Sequence, residues 1–224
     1  MENLLNLFLP QKCIVCGSLG DSICKMCLLK SKPLNGTVYY DLETNKFADM
    51  ENINDVMVIN FMYNYSDIVR EVILKSKYPP RSFNALKKLL CYYHKTYTLL
   101  FNDCVLVPVP LSSHKYRERG FNQSLLISNF LKNLYKRMSV LDILIRRRDT
   151  IAQFKNSRSE RFNNIKGSIK VSKNILPSMK NSKICIVDDI CTTGSTLSEC
   201  YKTLREAGFN SISCFCVCRS LERF

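Results

Sequence analysis

Residues 183–196 read KICIVDDICTTGST, and this stretch decides the fold. The apolar run 184–187 ends in two adjacent acids, Asp188 and Asp189, and a turn rich in threonine and glycine follows. A helical spacing of apolar residues then begins at Leu197. The order of strand, acid pair, turn and helix predicts an α/β fold, in which ligands bind at the carboxyl ends of parallel strands.

The turn after the acids has the chemistry of a phosphate site. Its residues are Thr192, Thr193, Gly194, Ser195 and Thr196. Free backbone N–H groups at a helix N-terminus bind phosphate, and the hydroxyl groups add further donors. The acids suit ribose hydroxyls and a hydrated Mg²⁺. This is not a Walker loop, because the Gly-Lys-Ser/Thr ending is absent. The alternative is a plain helix capped by Thr196 with Glu199 as partner, which leaves the two acids unexplained.

The same run resembles the phosphoribosyl-pyrophosphate (PRPP) motif of type I phosphoribosyltransferases. The resemblance includes both acids and the TTGxT turn. It implies that Asp188 and Asp189 are catalytic residues that meet the ribose hydroxyls and Mg²⁺. It also implies that the turn 192–196 holds the 5′-phosphate.

Length and charge set outer limits on the protein. A chain of 224 residues suits one α/β domain with a small appendage. It contains no apolar run long enough for a membrane span, and the first ten residues do not resemble a signal peptide. We therefore expect a cytoplasmic protein. The net charge of +14 favours phosphate-rich partners such as nucleic acid, nucleotides or PRPP.

Two Cys-x-x-Cys pairs near the N-terminus predict a structural zinc site. The four candidate ligands are Cys13, Cys16, Cys24 and Cys27. Four thiolates complete a tetrahedral zinc shell and leave no open position for catalysis. A thioredoxin-like redox pair and an iron–sulfur cluster are the alternatives. Neither pair follows a βαβ pattern, and two pairs so close together favour zinc.

The sequence predicts three parts of the chain and the order of their strands and helices. We expect a zinc-binding module over 1–32, an irregular polar linker over 33–55 and an α/β domain over 56–224. Strands are predicted at 56–62, 105–109, 141–145, 169–171, 184–187 and 212–217. Helices are predicted at 66–76, 82–98 and 122–138, with a last helix closed by Gly208 in a left-handed conformation. This alternation predicts a mostly parallel sheet with helices on both faces.

Residues 107–123, VPVPLSSHKYRERGFNQ, follow a buried strand with two prolines and a dense basic turn. Lys115, Arg117 and Arg119 would then lie at the same sheet edge as the acid pair, where they can face a pyrophosphate or a nucleic-acid backbone. The alternative is a solvated charged segment ahead of a helix.

A second basic segment, 146–161, reads RRRDTIAQFKNSRSER. Its arginines suit a lid over the site or a path for single-stranded nucleic acid. They are Arg146, Arg147, Arg148, Arg158 and Arg161. A solvated linker is the alternative.

Taken together, these motifs resemble the ComF family of bacterial competence proteins, over nearly the whole chain. The family implies a type I phosphoribosyltransferase domain behind a zinc-binding module. It also implies a role with single-stranded DNA in natural transformation, together with a helicase partner. By this resemblance Pro110, Leu111 and Ser112 would form the pyrophosphate loop.

Three functions remain open at this point. The protein is a DNA-handling factor with a PRPP-type site, a working phosphoribosyltransferase, or a module that senses PRPP without touching DNA. Purine-salvage members of the wider superfamily have an acid at the position of Thr192, so threonine there argues against a purine acceptor. The acceptor cannot be read from the sequence.

Overall fold

The computed structural model describes residues 11–50, 55–78, 81–97, 103–147, 165–172 and 177–220. Its helices are α1 (Lys25–Lys30), α2 (Asp67–Lys75), α3 (Arg81–Thr96), α4 (Ser113–Arg119), α5 (Gln123–Leu134) and α6 (Ser195–Glu206). Its strands are β1 (Gly36–Asp41), β2 (Lys46–Ala48), β3 (Val56–Asn64), β4 (Val105–Pro108), β5 (Ser139–Val140), β6 (Leu144–Arg146), β7 (Ile169–Val171), β8 (Ile184–Cys191) and β9 (Ile212–Arg219).

Seven of these strands form one mostly parallel sheet. Their order is β2-β1-β3-β9-β8-β4-β5. The five strands from β3 to β5 in that order pair in parallel, whereas β1 and β2 add an antiparallel edge. The short strands β6 and β7 pair separately as an antiparallel ribbon. The predicted α/β architecture is therefore confirmed.

The sheet has an apolar core on each face. On one side α2, α3 and α5 contribute Val69, Leu86 and Ile127 to a buried cluster. On the other side Leu197 and Leu204 of α6 anchor a second cluster. Since both faces are covered, the first four residues of β8 are buried, and partial exposure begins at Asp188. The last long helix ends before Gly208, whose φ of +94° confirms the predicted left-handed residue.

The predicted irregular stretch after residue 33 is wrong over β1 and β2, which form a hairpin on the sheet. The sequence Gly36–Asp41 is rich in β-branched and aromatic residues, which favour strands. The Asp41 carboxylate closes the turn by accepting hydrogen bonds from the backbone N–H groups of Glu43 and Thr44. Asn45 completes the turn with a φ of +57°. The hairpin brings Tyr40 against the phosphate turn.

The basic segment after β4 was predicted as a turn, and this is wrong because residues 113–119 form helix α4. Ser112 caps the helix by accepting a hydrogen bond from the N–H of Lys115, and Gly120 ends it with a φ of +77°. The helix predicted over 122–138 stops at Leu134. The strand predicted over 141–145 is wrong as a single element, because β5 ends before it and β6 begins at Leu144.

The N-terminal cysteine unit packs on the helices of the larger body. Cys13, Ile23 and Cys27 belong to the same buried cluster as α2 and α3. The Lys75 ammonium donates to the carbonyl of Ile14, and Lys88 pairs with Asp21. The division of the chain into a module over 1–32, a linker over 33–55 and a domain over 56–224 stays a prediction. Among the helices of the described ranges, no helix is both long and apolar enough to cross a bilayer.

Candidate functional site

The four predicted zinc ligands come together. The Sγ atoms of Cys13, Cys16, Cys24 and Cys27 all lie within 4.8 Å of one another. Cys16 Sγ and Cys24 Sγ are 3.7 Å apart, which matches the separation of about 3.8 Å that tetrahedral Zn–S bonds of about 2.3 Å require. These distances fit a single tetrahedral metal ion.

Backbone N–H groups around these cysteines donate hydrogen bonds to the sulfur atoms. The N–H of Cys24 donates to Cys13 Sγ at 3.4 Å, and the N–H of Cys27 donates to Cys24 Sγ at 3.5 Å. Gly17 follows the first pair with a φ of +78°, as the tight turn requires. Hydrogen bonds with Ser18 lower the pKa of Cys16 to about 6, whereas burial raises the pKa of Cys27.

The phosphate turn lies between β8 and α6. Gly194 is the N-cap residue of α6, has a φ of +77° and makes no side-chain cap bond. The alternative cap by Thr196 and Glu199 is therefore wrong, and Glu199 instead accepts a hydrogen bond from the N–H of Gly167 at 2.6 Å. The side chains of Thr193 and Ser195 are buried with their hydroxyl oxygens 2.9 Å apart. The N–H of Ser195 donates to Thr193 Oγ1 at a long 3.5 Å, and a ligand can be bound by the N–H groups in the first turn of this twelve-residue helix.

Tyr40 fixes the shape of this turn. A Cβ atom at position 194 would lie 2.6 Å from Cε2 of Tyr40, so only glycine fits there. Tyr40 is buried and packs edge-on against Phe47 at a centroid distance of 5.3 Å. A small cavity of about 30 Å³ lies within the turn, bounded by residues from Asp188 to Leu197. Sequence reasoning missed Tyr40, because nothing in the β1 sequence marks its contact with a distant glycine.

The acid pair lies in the last half of β8, beside the start of α5. Asp188 accepts a hydrogen bond from the Ser124 hydroxyl at 3.0 Å, and Asp189 pairs with the Lys77 ammonium at 3.3 Å. Burial, and then the charge of Asp189, raises the pKa of Asp188 to about 7. Each acid thus has a polar partner that sequence reasoning missed, and at Asp188 the hydrogen bond from Ser124 offsets only part of the effect of burial. Ser124 directly follows the FNQ motif, whereas no sequence signal marked Lys77.

The predicted pyrophosphate loop, Pro110 to Ser112, adjoins the acid pair. Val109 leads into the loop, and its N–H donates to the carbonyl of Val187 at 2.9 Å. Val187 directly precedes Asp188 in β8. The side-chain amide of Asn122 donates to the Val109 carbonyl at 3.0 Å. The loop, the acids and the phosphate turn therefore lie at one edge of the sheet, as expected from the strand order.

Several of the predicted basic residues gather beside this loop. Burial, and then the nearby cations Arg119, Arg146 and Lys77, lowers the pKa of Lys115. Arg117 lines a cleft of about 500 Å³ between α4 and β6, together with Pro110 and Tyr116. Arg147 follows β6 and is exposed. The other three arginine candidates, Arg148, Arg158 and Arg161, lie outside the described residues.

Comparison with known proteins identifies the family to which the chain is similar. The model of the phosphoribosyl transferase domain family matches residues 128–223. The chain is similar to competence protein F of Haemophilus influenzae, with 35% identity over 117 residues that cover 51% of this chain and 50% of that protein. It is 32% identical to competence protein ComFC of Bacillus subtilis over 71% of this chain and 63% of that protein.

A third relative is matched over more of its length. The chain is 30% identical to the DNA utilization protein YhgH of Escherichia coli K12 over 164 residues, which are 70% of each chain. By contrast, the chain spans about half the length of the Haemophilus relative and under two thirds of the Bacillus relative.

We predict that the cysteine cluster holds one zinc ion and stabilises the body on which it packs. Cys27→Ser should abolish metal binding and lower the melting temperature, because the module folds around its metal and shares its core with α2 and α3. Elemental analysis and thermal unfolding measure both effects. Cys91→Ser is the control, since Cys91 lies on α3 outside the cluster. Full metal content in Cys27→Ser would contradict the assignment.

The acid pair also predicts a pH dependence of stability. The pKa of Asp188 rises from 3.8 unfolded to about 7 folded, so ionisation destabilises the fold as pH increases through this window. A pKa shift of this size corresponds to a loss of roughly 4 kcal/mol in the free energy of unfolding once Asp188 is fully ionised. Asp188→Asn should therefore raise the free energy of unfolding by roughly 2–4 kcal/mol at pH 8 and change it little at pH 4. Denaturant titrations at both pH values measure this. An equal effect at both pH values would contradict a raised pKa of Asp188 in the folded protein.

Proposed function

Because this chain belongs to the ComF family of competence and DNA-utilisation proteins, we propose that it binds Mg²⁺–PRPP and handles single-stranded DNA during DNA uptake. The observation that carries the proposal is the junction of two adjacent strands. The hydrogen bond from the N–H of Val109 to the carbonyl of Val187 joins the residues that precede the pyrophosphate loop and the acid pair, and the phosphate turn follows directly after β8. We place this activity in the cytoplasm, where incoming single strands are met.

Each part of a phosphoribosyl ligand has a counterpart in the site. The N–H groups at the start of α6 suit the 5′-phosphate, because the helix dipole favours an anion there. Asp188 and Asp189 suit the ribose hydroxyls, and their oxygens are the ligands that Mg²⁺ prefers. Pro110, Leu111 and Ser112 would hold the pyrophosphate, with Lys115 and Arg119 supplying positive charge beside it.

The DNA part of the proposal depends on the basic surface next to this site. Arg117 and Arg147 are exposed, and Arg117 lines the cleft beside the exposed ring of Tyr116. Proteins that bind single strands usually combine cations along the nucleic-acid backbone with an aromatic ring on which a base stacks. The net charge of +14 attracts the strand toward this surface. A helicase partner remains part of the proposal by family membership alone.

Catalytic transfer is the second candidate, and the acid pair and cations favour it. In that reaction the bond from C1′ to the pyrophosphate oxygen breaks, and a nucleophile forms a new bond to C1′. The cations around Lys115 would stabilise the charge on the leaving pyrophosphate. Release of pyrophosphate with any acceptor in a nucleophile screen would establish turnover.

The PRPP site is tested by a double substitution. Asp188→Asn/Asp189→Asn should abolish Mg²⁺–PRPP binding in calorimetry, because the neutral amides cannot ligate Mg²⁺ through a charged oxygen. Zinc content should stay as in the unchanged protein, and single-stranded DNA affinity should not fall, because the variant carries two fewer negative charges. Retained PRPP binding by the double variant would contradict the site assignment.

The DNA surface is tested by the complementary change. Arg117→Ala/Arg147→Ala should weaken single-stranded DNA binding and reduce its salt slope by about 1.4, since each lost phosphate contact contributes about 0.7. PRPP binding should remain. The control is Arg70→Ala/Arg137→Ala, which removes two exposed arginines that pair with Glu71 and Asp103. An equal loss in both double variants would show general charge attraction, and no loss in either would favour a PRPP sensor.

A further inference from the structure

Lys77 occupies a position in the site that the motifs do not reveal. It follows the end of α2, and its ammonium lies 3.3 Å from Oδ2 of Asp189. The two side chains are only 20% and 15% exposed, so this ion pair is not an ordinary surface contact. Its partner is one of the two acids to which the proposed function assigns the ribose and Mg²⁺.

The backbone that carries Lys77 is held by the first turn of α5. The side-chain amide of Gln123 donates to the hydroxyl of Ser76 at 2.6 Å and to the carbonyl of Ile73 at 3.3 Å. Both Gln123 and Ser76 are buried. Ser76 directly precedes Lys77. The end of α2 is thereby fixed to α5 rather than left as a free loop.

The next residue of α5 fixes the other acid. Ser124 donates its hydroxyl hydrogen to Asp188, one residue after Gln123 anchors the end of α2. A single helical turn thus sets the position of Lys77 relative to the acid pair. A lysine built into the fold in this way is positioned for a ligand at those acids, because little side-chain freedom remains to be lost on binding.

The charge around Lys77 favours a ligand with several negative charges. Apart from burial, which lowers the pKa of Lys115 most, the positive charge of Lys77 also lowers it and the negative charge of Asp189 raises it. Arg119 and Arg146 add further positive charge there. Lys115 lies in α4, directly after the predicted pyrophosphate loop, and Lys77 pairs with Asp189 of β8, the strand next to β4, which leads into that loop. A diphosphate between the two lysines would balance this charge.

We propose that Lys77 is a further binding residue of this site, which holds Asp189 in the free protein and contacts the diphosphate of bound Mg²⁺–PRPP. If Mg²⁺ were held by Asp189, it would offset the carboxylate charge, and the Lys77 ammonium could then donate a hydrogen bond to a phosphate oxygen. The inference rests on the proposed function, since it assumes that PRPP is the ligand. Gln123 is the positioning residue that keeps Lys77 in reach.

Two ligands separate a direct contact from a structural role. Mg²⁺–PRPP carries the diphosphate, whereas ribose 5-phosphate has the same sugar phosphate without it. Lys77→Met should weaken Mg²⁺–PRPP binding about 10- to 100-fold, as expected for the loss of a charge-assisted hydrogen bond, and change ribose 5-phosphate binding less than about twofold. Lys77→Arg should restore most of the PRPP affinity. Calorimetry at constant free Mg²⁺ measures each value.

A matched control and a second variant keep the test decisive. Lys87→Met removes a lysine of α3 that lies over the Phe83 ring, and it should leave both affinities unchanged. If Lys77→Met does not fold, Lys77→Gln is used in its place. Equal weakening of both ligands, or no weakening of PRPP, would overturn the role of Lys77 while leaving the PRPP site intact. No PRPP binding by the unchanged protein would instead overturn the proposed function and this inference together.

Discussion

The arrangement of the site depends on the hydrogen bonds made by three consecutive residues at the start of α5. Asn122 donates to the Val109 carbonyl beside the pyrophosphate loop, Gln123 anchors the end of α2, and Ser124 donates to Asp188. These contacts join parts of the chain that are as many as 64 residues apart in sequence. Because buried polar groups are costly to leave unpaired, each contact restricts the others. The loop, the lysine and the acid therefore keep a fixed spacing.

A second constraint is the conflict between burial and charge at the acid pair. Burial, and then the charge of Asp189, raises the pKa of Asp188 to about 7, so ionising this carboxyl group costs more in the folded protein than in water. A bound cation would remove this penalty, which links the energetics of the fold to occupancy of the site. Lys77 offsets part of the same charge at Asp189. Functional groups held in this way lower stability and raise affinity for a complementary ligand.

The sequence was sufficient for those parts of the fold that rest on local chemistry. The acid pair, the phosphate turn and the cysteine cluster each lie within a short run, and side-chain spacing alone predicts them. The hairpin of β1 and β2 was missed because its turn depends on Asp41 bonding its own backbone, which resembles an irregular polar segment in sequence. Helix α4 was missed because seven mostly charged residues show no apolar periodicity.

The partners of the acids were missed for a different reason. Lys77 and Ser124 lie 112 and 64 residues from Asp189 and Asp188 along the chain, and only the packing of α2 and α5 on the sheet brings them near. Tyr40 likewise reaches Gly194 through the hairpin at the sheet edge. Such contacts depend on tertiary structure, so a single sequence contains no pattern that marks them.

A crystal structure of the protein soaked with Mg²⁺–PRPP tests the central claim most directly. The account predicts electron density for the 5′-phosphate at the N–H groups that begin α6, with the ribose hydroxyls at Asp188 and Asp189. Density for the ligand at another surface, or none at saturating concentration in crystals whose sheet edge is open to solvent, would contradict it.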